Sequence, residues 1–479
     1  MGTFNPRRRN RNPMSTGPEV DRCLTDYFRC PGEFVRLSRR KGAAYGPGYF
    51  SFGEKVVCFG KYVSSIPAAD PGGPTPDAQA GIEFGPAGVR LPFDPAEVTE
   101  NLHRERYTEE WRAGSGLVAR AYYFVRPLLP VGVRKHLQKF HLRNWRNIAF
   151  PRWPVDSSVD DLLEEVLLLC LRERGEERIP FIWFWPKGKS SCAIMTHDVE
   201  MPEGRDFCPT LMEVDRKYGI RASYQVVPEE RYSVSPEFLA SLRAHGCEVA
   251  VHDLNHDGHL YENREQFEQR AQKINAYLKE YQADGFRAGV LYRKQVWFEA
   301  LECAFDMSVP NVAHLDPQRG GCCTVMPYFL RDVLEIPVTM IQDYTLFHIL
   351  NDYSIDIWKQ QAEIVMARHG LMSFIVHPDY VMTRRSMAVY EELLQYLVEL
   401  EQERDVWMAT PGEVNRWWRQ RAAMRLVERN GSWRIEGPGS DRARLAWATE
   451  RDGRLQLTMD DGARTASPAC AAEEALAGD

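Results

Sequence analysis

The sequence predicts an α/β protein built around a parallel sheet that is closed, or nearly closed, into a barrel. Short apolar segments alternate with longer amphipathic segments from about residue 186 to residue 423. This alternation is typical of parallel sheets, because each connection between parallel strands needs a crossover, usually a helix. Three of the apolar segments also end in titratable side chains, and the active sites of such folds lie at the carboxyl ends of their strands.

Eight segments of this region are predicted as strands, because they are short, apolar and bounded by polar or turn-forming residues. They are residues 193–197, 222–227, 248–252, 285–289, 307–309, 334–338, 371–377 and 406–409. Six intervening segments have apolar residues at helical spacing. They are residues 210–218, 236–245, 264–281, 295–304, 355–369 and 387–403.

The region before the barrel has a different character. Residues 1–185 are predicted to form an N-terminal α+β region to which the sequence assigns no fold. Within it we expect short strands near residues 48–59 and an amphipathic helix at residues 158–172. The Pro- and Gly-rich stretch 66–92 is typical of a loop or a disordered linker.

The region after the barrel is predicted to be small and mostly β. Residues 424–465 contain three short segments typical of antiparallel strands joined by turns, at 433–436, 444–449 and 454–459. Residues 466–479 are expected to be a disordered tail.

Composition excludes several classes of protein. At 479 residues, the chain is too long for one ordinary core, so two or three domains are expected. A net charge of −7 weighs against a nucleic-acid-binding protein. The 11 cysteines include no C-x-x-C pair, which favours reduced, packed thiols in a cytoplasmic protein. No apolar stretch resembles a secretory signal or reaches the ~18 residues of a transmembrane helix.

Candidate metal ligands lie at two of the predicted strand ends. Asp198 and Glu200 follow the first strand, the third strand ends at His252, and His256 lies four residues further on. Imidazole and carboxylate groups are the ligands of catalytic Zn²⁺ and related divalent ions. His252, His256 and Glu200 could therefore hold one such ion. The alternative is that the two histidines are surface side chains hydrogen-bonded to their neighbours.

Candidate acid–base residues lie at the same strand ends. Asp198 and Glu200 are two residues apart, so on an extended chain they point to the same side. One of them can bind a metal ion while the other takes a proton from water. His377 ends another strand, and its imidazole can act as a general acid towards a leaving group.

In this order and spacing, the motifs resemble those of the polysaccharide deacetylase superfamily (NodB homology, carbohydrate esterase family 4). The resemblance covers residues 191–410, a little under half of the chain. The motifs are Thr196-His197-Asp198-Val199-Glu200, His252-x-x-x-His256, Phe286-Arg287 and Ile375-Val376-His377-Pro378.

The resemblance implies a distorted (β/α)₇ barrel that hydrolyses an N-acyl group, usually N-acetyl, from an amino sugar. It implies that Asp198 is the catalytic base, that Arg287 orients this base, and that His377 is the catalytic acid. The implied ligands of the metal, which is expected to be Zn²⁺, are Glu200, His252 and His256.

The chain departs from the usual first motif. Val199 separates two acidic residues that are usually adjacent aspartates, and the second acid is Glu200. This D-x-E spacing is similar to that of the branch that contains peptidoglycan deacetylases and allantoinase-like amidohydrolases. Some members of that branch work without a metal.

Three further residues are candidates for supporting roles. The third motif continues Arg287-Ala288-Gly289 where a proline is usual, and Tyr292 is a nearby candidate for contacting the oxyanion. Asp379 and Asp343 are each candidates to tune His377 through a hydrogen bond.

We therefore expect a cytoplasmic amide hydrolase that acts on an N-acetylated sugar or glycan of a cell-surface pathway. One alternative is a metal-independent amidohydrolase of the allantoinase-like type. Another is a non-catalytic carbohydrate-binding protein. The combination of Asp198, Arg287 and His377 weighs against the latter, because a binding site needs no acid–base pair.

A basic segment stands apart from these motifs. Residues 111–155 contain nine lysines or arginines and no aspartate or glutamate. Such a segment can lie on an anionic membrane surface, which would make the protein peripheral to a membrane. The alternative is a solvated basic helix that packs against the acidic remainder of the chain.

Overall fold

A computed structural model of the chain describes residues 19–40, 42, 44–86, 88–108, 142 and 144–460. Most of the predicted membrane-contacting segment 111–155 and all of the predicted tail 466–479 lie outside these residues. None of the helices in the described ranges combines the length and the apolar character that crossing a bilayer requires.

The N-terminal region is an α+β layer with an aromatic-rich core. Its helices are α1 (Arg22–Phe28), α2 (Pro95–His103) and α3 (Ser158–Arg174). Its strands are β1 (Leu37–Arg39), β2 (Gly48–Phe52), β3 (Val56–Gly60), β4 (Glu83–Gly85), β5 (Gly88–Leu91) and β6 (Arg178–Ile182). Strands β2 and β3 form an antiparallel hairpin, and β5 lies between β1 and β4.

The prediction that residues 66–92 form a loop or a disordered linker is wrong for the second half of this stretch, although residues 66–77 contain no helix or strand. This stretch contains β4, β5 and a 3₁₀ turn at Ala78–Gly81. Val89 and Leu91 of this stretch are fully buried, whereas Ile66 and Phe84 are exposed. Because the prolines and glycines lie largely at turns between short elements, composition alone could not reveal the order.

The barrel sheet contains nine strands. They are β7 (Cys192–Val199), β8 (Ser223–Val226), β9 (Glu248–His252), β10 (Gly285–Arg287), β11 (Phe305–Asp306), β12 (Tyr328–Leu330), β13 (Val333–Glu335), β14 (Leu371–Val376) and β15 (Trp407–Ala409). Its helices are α4 (Pro202–Lys217), α5 (Pro236–Ala244), α6 (Arg264–Glu280), α7 (Asp356–Met366), α8 (Arg384–Glu403) and α9 (Pro411–Ala423).

The sheet curls into an open barrel, as the alternation of elements predicts. Its strand order is β12-β13-β11-β10-β9-β8-β7-β14, and β15 pairs with β7. Every pair is parallel except β12 with β13. Among the described residues β13 and β14 do not pair. Instead Thr339 joins the two sides, because its Oγ1 donates to the Leu371 carbonyl (2.6 Å) and accepts from the Ser373 N–H (3.0 Å). The predicted α/β barrel is therefore confirmed.

Several boundaries differ from the prediction. Helix α4 begins at Pro202, eight residues earlier than expected, although Pro209 lies inside it. Pro202 occupies the first turn, where its missing N–H has no intrahelical partner to lose. Strand β11 ends one residue before the predicted strand 307–309 begins, and the segment predicted as a helix at 295–304 is a 3₁₀ helix at Gln295–Ala300.

In its described residues, 424–460, the C-terminal β segment contains four strands rather than three. They are β16 (Arg425–Arg429), β17 (Ser432–Glu436), β18 (Leu445–Arg451) and β19 (Arg454–Met459). Strand β16 pairs with β17 and had no apolar pattern to reveal it. Strand β18 pairs with both β19 and β6, so the end of the chain completes a sheet begun before the barrel.

The N-terminal region and the barrel share a hydrophobic core. Ile194 of β7 and Leu371 of β14 belong to the same buried cluster as Leu163 of α3 and Phe50 of β2. The cysteines of the described residues are free, and all of them except Cys23 are buried, as expected for packed thiols.

A buried arginine of α9 joins the same parts of the molecule. The Arg421 guanidinium is 1% exposed and donates to the carbonyls of Tyr27 (2.9 Å) and Phe28 (3.2 Å). It also donates to the carbonyls of Trp183 (3.1 Å) and Ile182 (2.7 Å). One side chain thus satisfies four backbone acceptors that lie next to the shared core.

We predict that Arg421→Ala lowers the free energy of unfolding by about 3 kcal/mol, because the variant leaves these carbonyls without their donor. Denaturant titration followed by tryptophan fluorescence measures the change. Arg425→Ala is the control, since Arg425 is exposed and, among the described residues, forms an ion pair only with Glu436. It should change the free energy of unfolding by less than about 0.5 kcal/mol. Equal stability of the two variants would contradict the proposed stabilising role of the Arg421 hydrogen bonds.

Candidate active site

The alternation of β7 places Asp198 on the inner face of the barrel. Asp198 Oδ1 and Thr196 Oγ1 both accept from Arg287 Nη1, at 2.5 and 2.9 Å. The intervening His197 points the other way. Its Nδ1 lies 3.0 Å from the Val376 carbonyl and its Nε2 lies 3.1 Å from Asp215 Oδ2. His197 is therefore a packed core residue and not a metal ligand.

Arg287 fixes the orientation of the Asp198 carboxylate. The guanidinium is fully buried, and its Nε donates to the Met307 carbonyl at 3.0 Å. Burial raises the pKa of Asp198, but the charges of Arg287, His252 and His377 outweigh burial, so the pKa lies below its ordinary value. Asp198 is therefore ionised at neutral pH.

The three predicted metal ligands converge at the ends of β7 and β9. Glu200 Oε1 lies 2.9 Å from His256 Nε2 and 3.6 Å from His252 Nε2. One ligand atom from each of the three residues lies within 4.8 Å of the others. His252 Nδ1 donates to the Arg287 carbonyl at 3.1 Å. This hydrogen bond leaves the Nε2 lone pair of His252 directed towards the other two ligands.

The donor set fits a divalent cation. His252 Nε2 and His256 Nε2 are buried and have no hydrogen-bond partner among the described residues, although Glu200 Oε1 lies 2.9 Å from His256 Nε2. Buried polar atoms without partners are rare in proteins, and a cation between these atoms would satisfy both. Two imidazoles and one carboxylate leave a coordination position open, as in catalytic zinc sites.

His259 is not part of this set. Its side chain is 43% exposed and pairs with Glu262 at 3.2 Å.

His377 follows β14 and faces the metal ligands. Its Nε2 lies 3.3 Å from Glu200 Oε1. On the other side of the ring, Nδ1–H donates to Asp343 Oδ1 at 2.7 Å, and the His377 backbone N–H donates to Asp343 Oδ2 at 2.7 Å. Burial lowers the pKa of His377, but the charges of Asp343 and Glu200 outweigh burial and raise this pKa well above its ordinary value.

Of the two aspartates considered as partners of His377, only Asp343 is hydrogen-bonded to it within the described residues. Asp379 lies in the 3₁₀ turn Pro378–Tyr380, and burial raises the pKa of its carboxyl to about 6. Tyr292 follows the turn Gly289–Leu291 and packs, half-buried, against the larger core. Its contact with an oxyanion stays a prediction.

Two residues of the site had no role in the sequence interpretation. Thr196 shares the Arg287 donor with Asp198, and its place two residues earlier on the same strand was the available signal. Tyr380 lies beside His377, with ring centroids 4.7 Å apart. Its position in the turn directly after the strand was the only sequence signal for it.

Several solved structures are weakly similar to about half of this chain. No protein-family model matches the sequence, and no curated protein is significantly similar to it. A protein from Mycobacterium smegmatis assigned as a polysaccharide deacetylase is 16% identical, with a TM-score of 0.41, over 50% of this chain and 93% of its own. PuuE allantoinase is 12% identical, with a TM-score of 0.38, over 49% and 92%. A protein from Pseudomonas aeruginosa PAO1, also assigned as a polysaccharide deacetylase, is 13% identical, with a TM-score of 0.37, over 49% and 92%.

Family 4 carbohydrate esterases are also among the matches. Because TM-scores of 0.41 or less support no conclusion about this chain, the function is argued from the geometry of the site.

We predict that the wild-type protein binds about one equivalent of Zn²⁺ and that His252→Ala or His256→Ala weakens binding by at least about 10²-fold, since each variant removes a ligand. Competition with a chromophoric chelator measures the affinity. The matched control is His259→Ala, a nearby histidine outside the ligand set, which should bind Zn²⁺ like the wild type. Wild-type affinity in the His252 and His256 variants would exclude the proposed ligands.

Proposed function

We propose that this protein is a hydrolase that removes an N-acyl group, most simply N-acetyl, from an amino sugar of a glycan or of a glycan precursor. One observation carries the proposal. The Asp198 carboxylate, which Arg287 orients, and the His377 imidazole, which Asp343 orients, both lie next to the same proposed metal ligands. Glu200 Oε1 is within 3.6 Å of the Nε2 atoms of His252, His256 and His377.

Asp198 has the contacts of a general base. Its Oδ1 is engaged by Arg287, whereas Oδ2 lies 3.7 Å from His252 Nε2, on the side of the metal ligands. Because the low pKa keeps the carboxylate ionised, Oδ2 can take a proton from a water molecule that attacks the amide carbon. A divalent ion held by Glu200, His252 and His256, which we expect to be Zn²⁺, would polarise the amide carbonyl and acidify this water.

His377 has the contacts of a general acid. Asp343 accepts from Nδ1–H and orients the ring so that Nε2 faces the site. The raised pKa keeps the imidazole protonated near neutral pH, so it can donate the Nε2 proton to the amine as the carbon–nitrogen bond breaks. This proton transfer is needed because the amine would otherwise have to leave as an RNH⁻ anion, which is a poor leaving group. The products are a carboxylic acid and a free amine.

The amino-sugar substrate is supported by the resemblance of four ordered motifs. The D-x-E spacing of Asp198 and Glu200 is shared with allantoinase-like amidohydrolases, which provides the rival function. The two functions differ in their need for a metal ion. The chelator-treated protein could retain full activity on a small ureide and show none on N-acetylated glycans. That result would favour the allantoinase-like function over our proposal.

We predict different defects for the two acidic residues of the first motif. Asp198→Asn should lower kcat for acetate release from an N-acetylglucosamine oligomer by about 10² or more, because it removes the base but keeps the shape. Its Zn²⁺ content should stay near wild type. Glu200→Gln should lose Zn²⁺ and activity together. Elemental analysis and an enzymatic acetate assay provide the two measurements.

The opposite pattern, in which Asp198→Asn loses the metal and Glu200→Gln keeps it, would show that the two carboxylates have exchanged roles. If wild-type protein binds the oligomer but releases no acetate, the carbohydrate-binding alternative is the better account.

We predict that Asp343→Asn lowers kcat by about 10²-fold or more, because the amide no longer stabilises the protonated imidazole of His377. Asp379→Asn is the matched control. Asp379 lies in the turn directly after His377, and among the described residues its carboxylate makes no hydrogen bond to the His377 ring. Its replacement should change kcat by less than about fivefold. The same acetate assay compares them. An equal loss in both variants would show that the hydrogen bond from His377 Nδ1–H to Asp343 is not the cause of the defect.

A further inference from the structure

A buried ion pair connects the N-terminal region to the barrel loop that follows Arg287. Glu105 lies just after α2, and Arg293 lies six residues after Arg287. Both side chains are at most 2% exposed. Arg293 Nε donates to Glu105 Oε2 at 2.6 Å, and Arg293 Nη2 donates to the other carboxylate oxygen. This two-point geometry is the strongest form of an arginine–carboxylate pair.

The backbone of the barrel region also contacts the Glu105 carboxylate closely. The Gly321 N–H donates to Glu105 Oε1 at 2.7 Å. Gly320 has a φ of +125°, and a Cβ at this position would collide with the same oxygen. The backbone therefore approaches the carboxylate as only glycine allows.

Arg293 in turn holds the loop. Its Nη1 donates to the Leu291 carbonyl at 2.9 Å. The Gln318 side chain makes two hydrogen bonds to the Arg293 backbone. Gln318 Oε1 accepts from the Arg293 N–H (3.1 Å), and Gln318 Nε2 donates to the Arg293 carbonyl (3.1 Å). The guanidinium thus links the Glu105 carboxylate directly to the preceding turn, Gly289–Leu291.

That turn is strained. Val290 has a φ of +59° and Leu291 a φ of +52°. A β-branched residue in the left-handed region is a backbone outlier, and such a conformation persists only where the surroundings enforce it. The hydrogen bond from Arg293 to the Leu291 carbonyl is one of the contacts that enforce it.

The strained turn also lies against a metal ligand. A Cβ added to Gly289 would come within 3.0 Å of His256 Cδ2 and 2.5 Å of Asp253 Oδ2. The Gly289 backbone therefore packs against the His256 ring. His256 itself has a φ of +55°, in the left-handed region.

We propose that Glu105 is a positioning residue for the metal site. It fixes Arg293, Arg293 fixes the Gly289–Leu291 turn, and the turn fixes the His256 ring. The inference rests on the metal site of the proposed function and adds that the N-terminal region determines the affinity of this site. Without Glu105, a buried guanidinium loses its bonded counter-charge and must move, because an unpaired buried charge is unfavourable.

The test uses full-length protein with Glu105→Gln, which keeps the size of the side chain but removes its charge. We expect Zn²⁺ affinity, measured by chelator competition, to fall by about tenfold or more, the usual effect of losing a residue that orients a ligand. The visible spectrum of Co²⁺-loaded protein should change as well. Glu105→Asp, which restores the charge, should recover part of the affinity.

Asp160→Asn is the matched control. Asp160 is a fully buried acid of the N-terminal region that accepts from Thr324 Oγ1 (2.7 Å) and the Val325 N–H (3.0 Å). Val325 accepts from the Leu371 N–H at the start of β14, the end of the barrel away from His377. This variant should lower the melting temperature but leave Zn²⁺ affinity and the Co²⁺ spectrum unchanged.

A second measurement needs no metal. With ¹³C-labelled histidine rings, the His256 Cδ2–H resonance, assigned through His256→Ala, should shift in Glu105→Gln and stay in place in Asp160→Asn. An unchanged resonance, or equal shifts in both variants, would overturn the proposal. Wild-type protein that binds Zn²⁺ but releases no acetate would instead overturn the proposed function and leave the positioning role standing.

Discussion

The site depends on one buried residue, Arg287, which acts through both its side chain and its backbone. Its guanidinium donates to Asp198 and Thr196 on β7. Its carbonyl accepts from Nδ1–H of His252, the last residue of the neighbouring strand β9, and from the N–H of Asp253, the residue after this strand (2.8 Å). One residue therefore orients both the proposed base and a proposed metal ligand, so their separation is set by the pairing of β9 with β10 rather than by a mobile loop.

The charges of the site explain why it suits a cation. The carboxylates of Asp198 and Glu200, whose pKa values lie below their ordinary values, and the Asp343 carboxylate lie beside the Arg287 guanidinium and the His377 imidazole. Buried charge of one sign is costly, so a further positive charge is favoured there. In the absence of metal, the charge of Glu200 outweighs the burial of His256 and raises the pKa of this imidazole. A proton on His256 and a divalent ion are thus alternative ways to balance the same carboxylates.

The barrel and most of the site could be predicted because their signals are local. Strand alternation and polar residues at strand ends identify Asp198, His252 and His377 without knowledge of contacts. The choice between Asp343 and Asp379 could not be made. Asp379 is near His377 in sequence but makes no hydrogen bond to its ring among the described residues, whereas Asp343 reaches the ring from 34 residues earlier. The pairing of β6 with β18 is equally non-local, since the two strands lie on opposite sides of the barrel in sequence.

The same non-local contacts bear on how the chain divides into domains. The N-terminal region does not bury its apolar side chains by itself, because its core continues into β7 and β14. Strand β18 completes the sheet of β6, and Arg421 of α9 caps carbonyls from α1 and β6. A barrel without its flanks would expose this apolar surface and leave Arg293 without Glu105. The flanking regions therefore contribute to the stability of the barrel. Through the ion pair of Glu105 with Arg293, they also contact the loop that packs against His256.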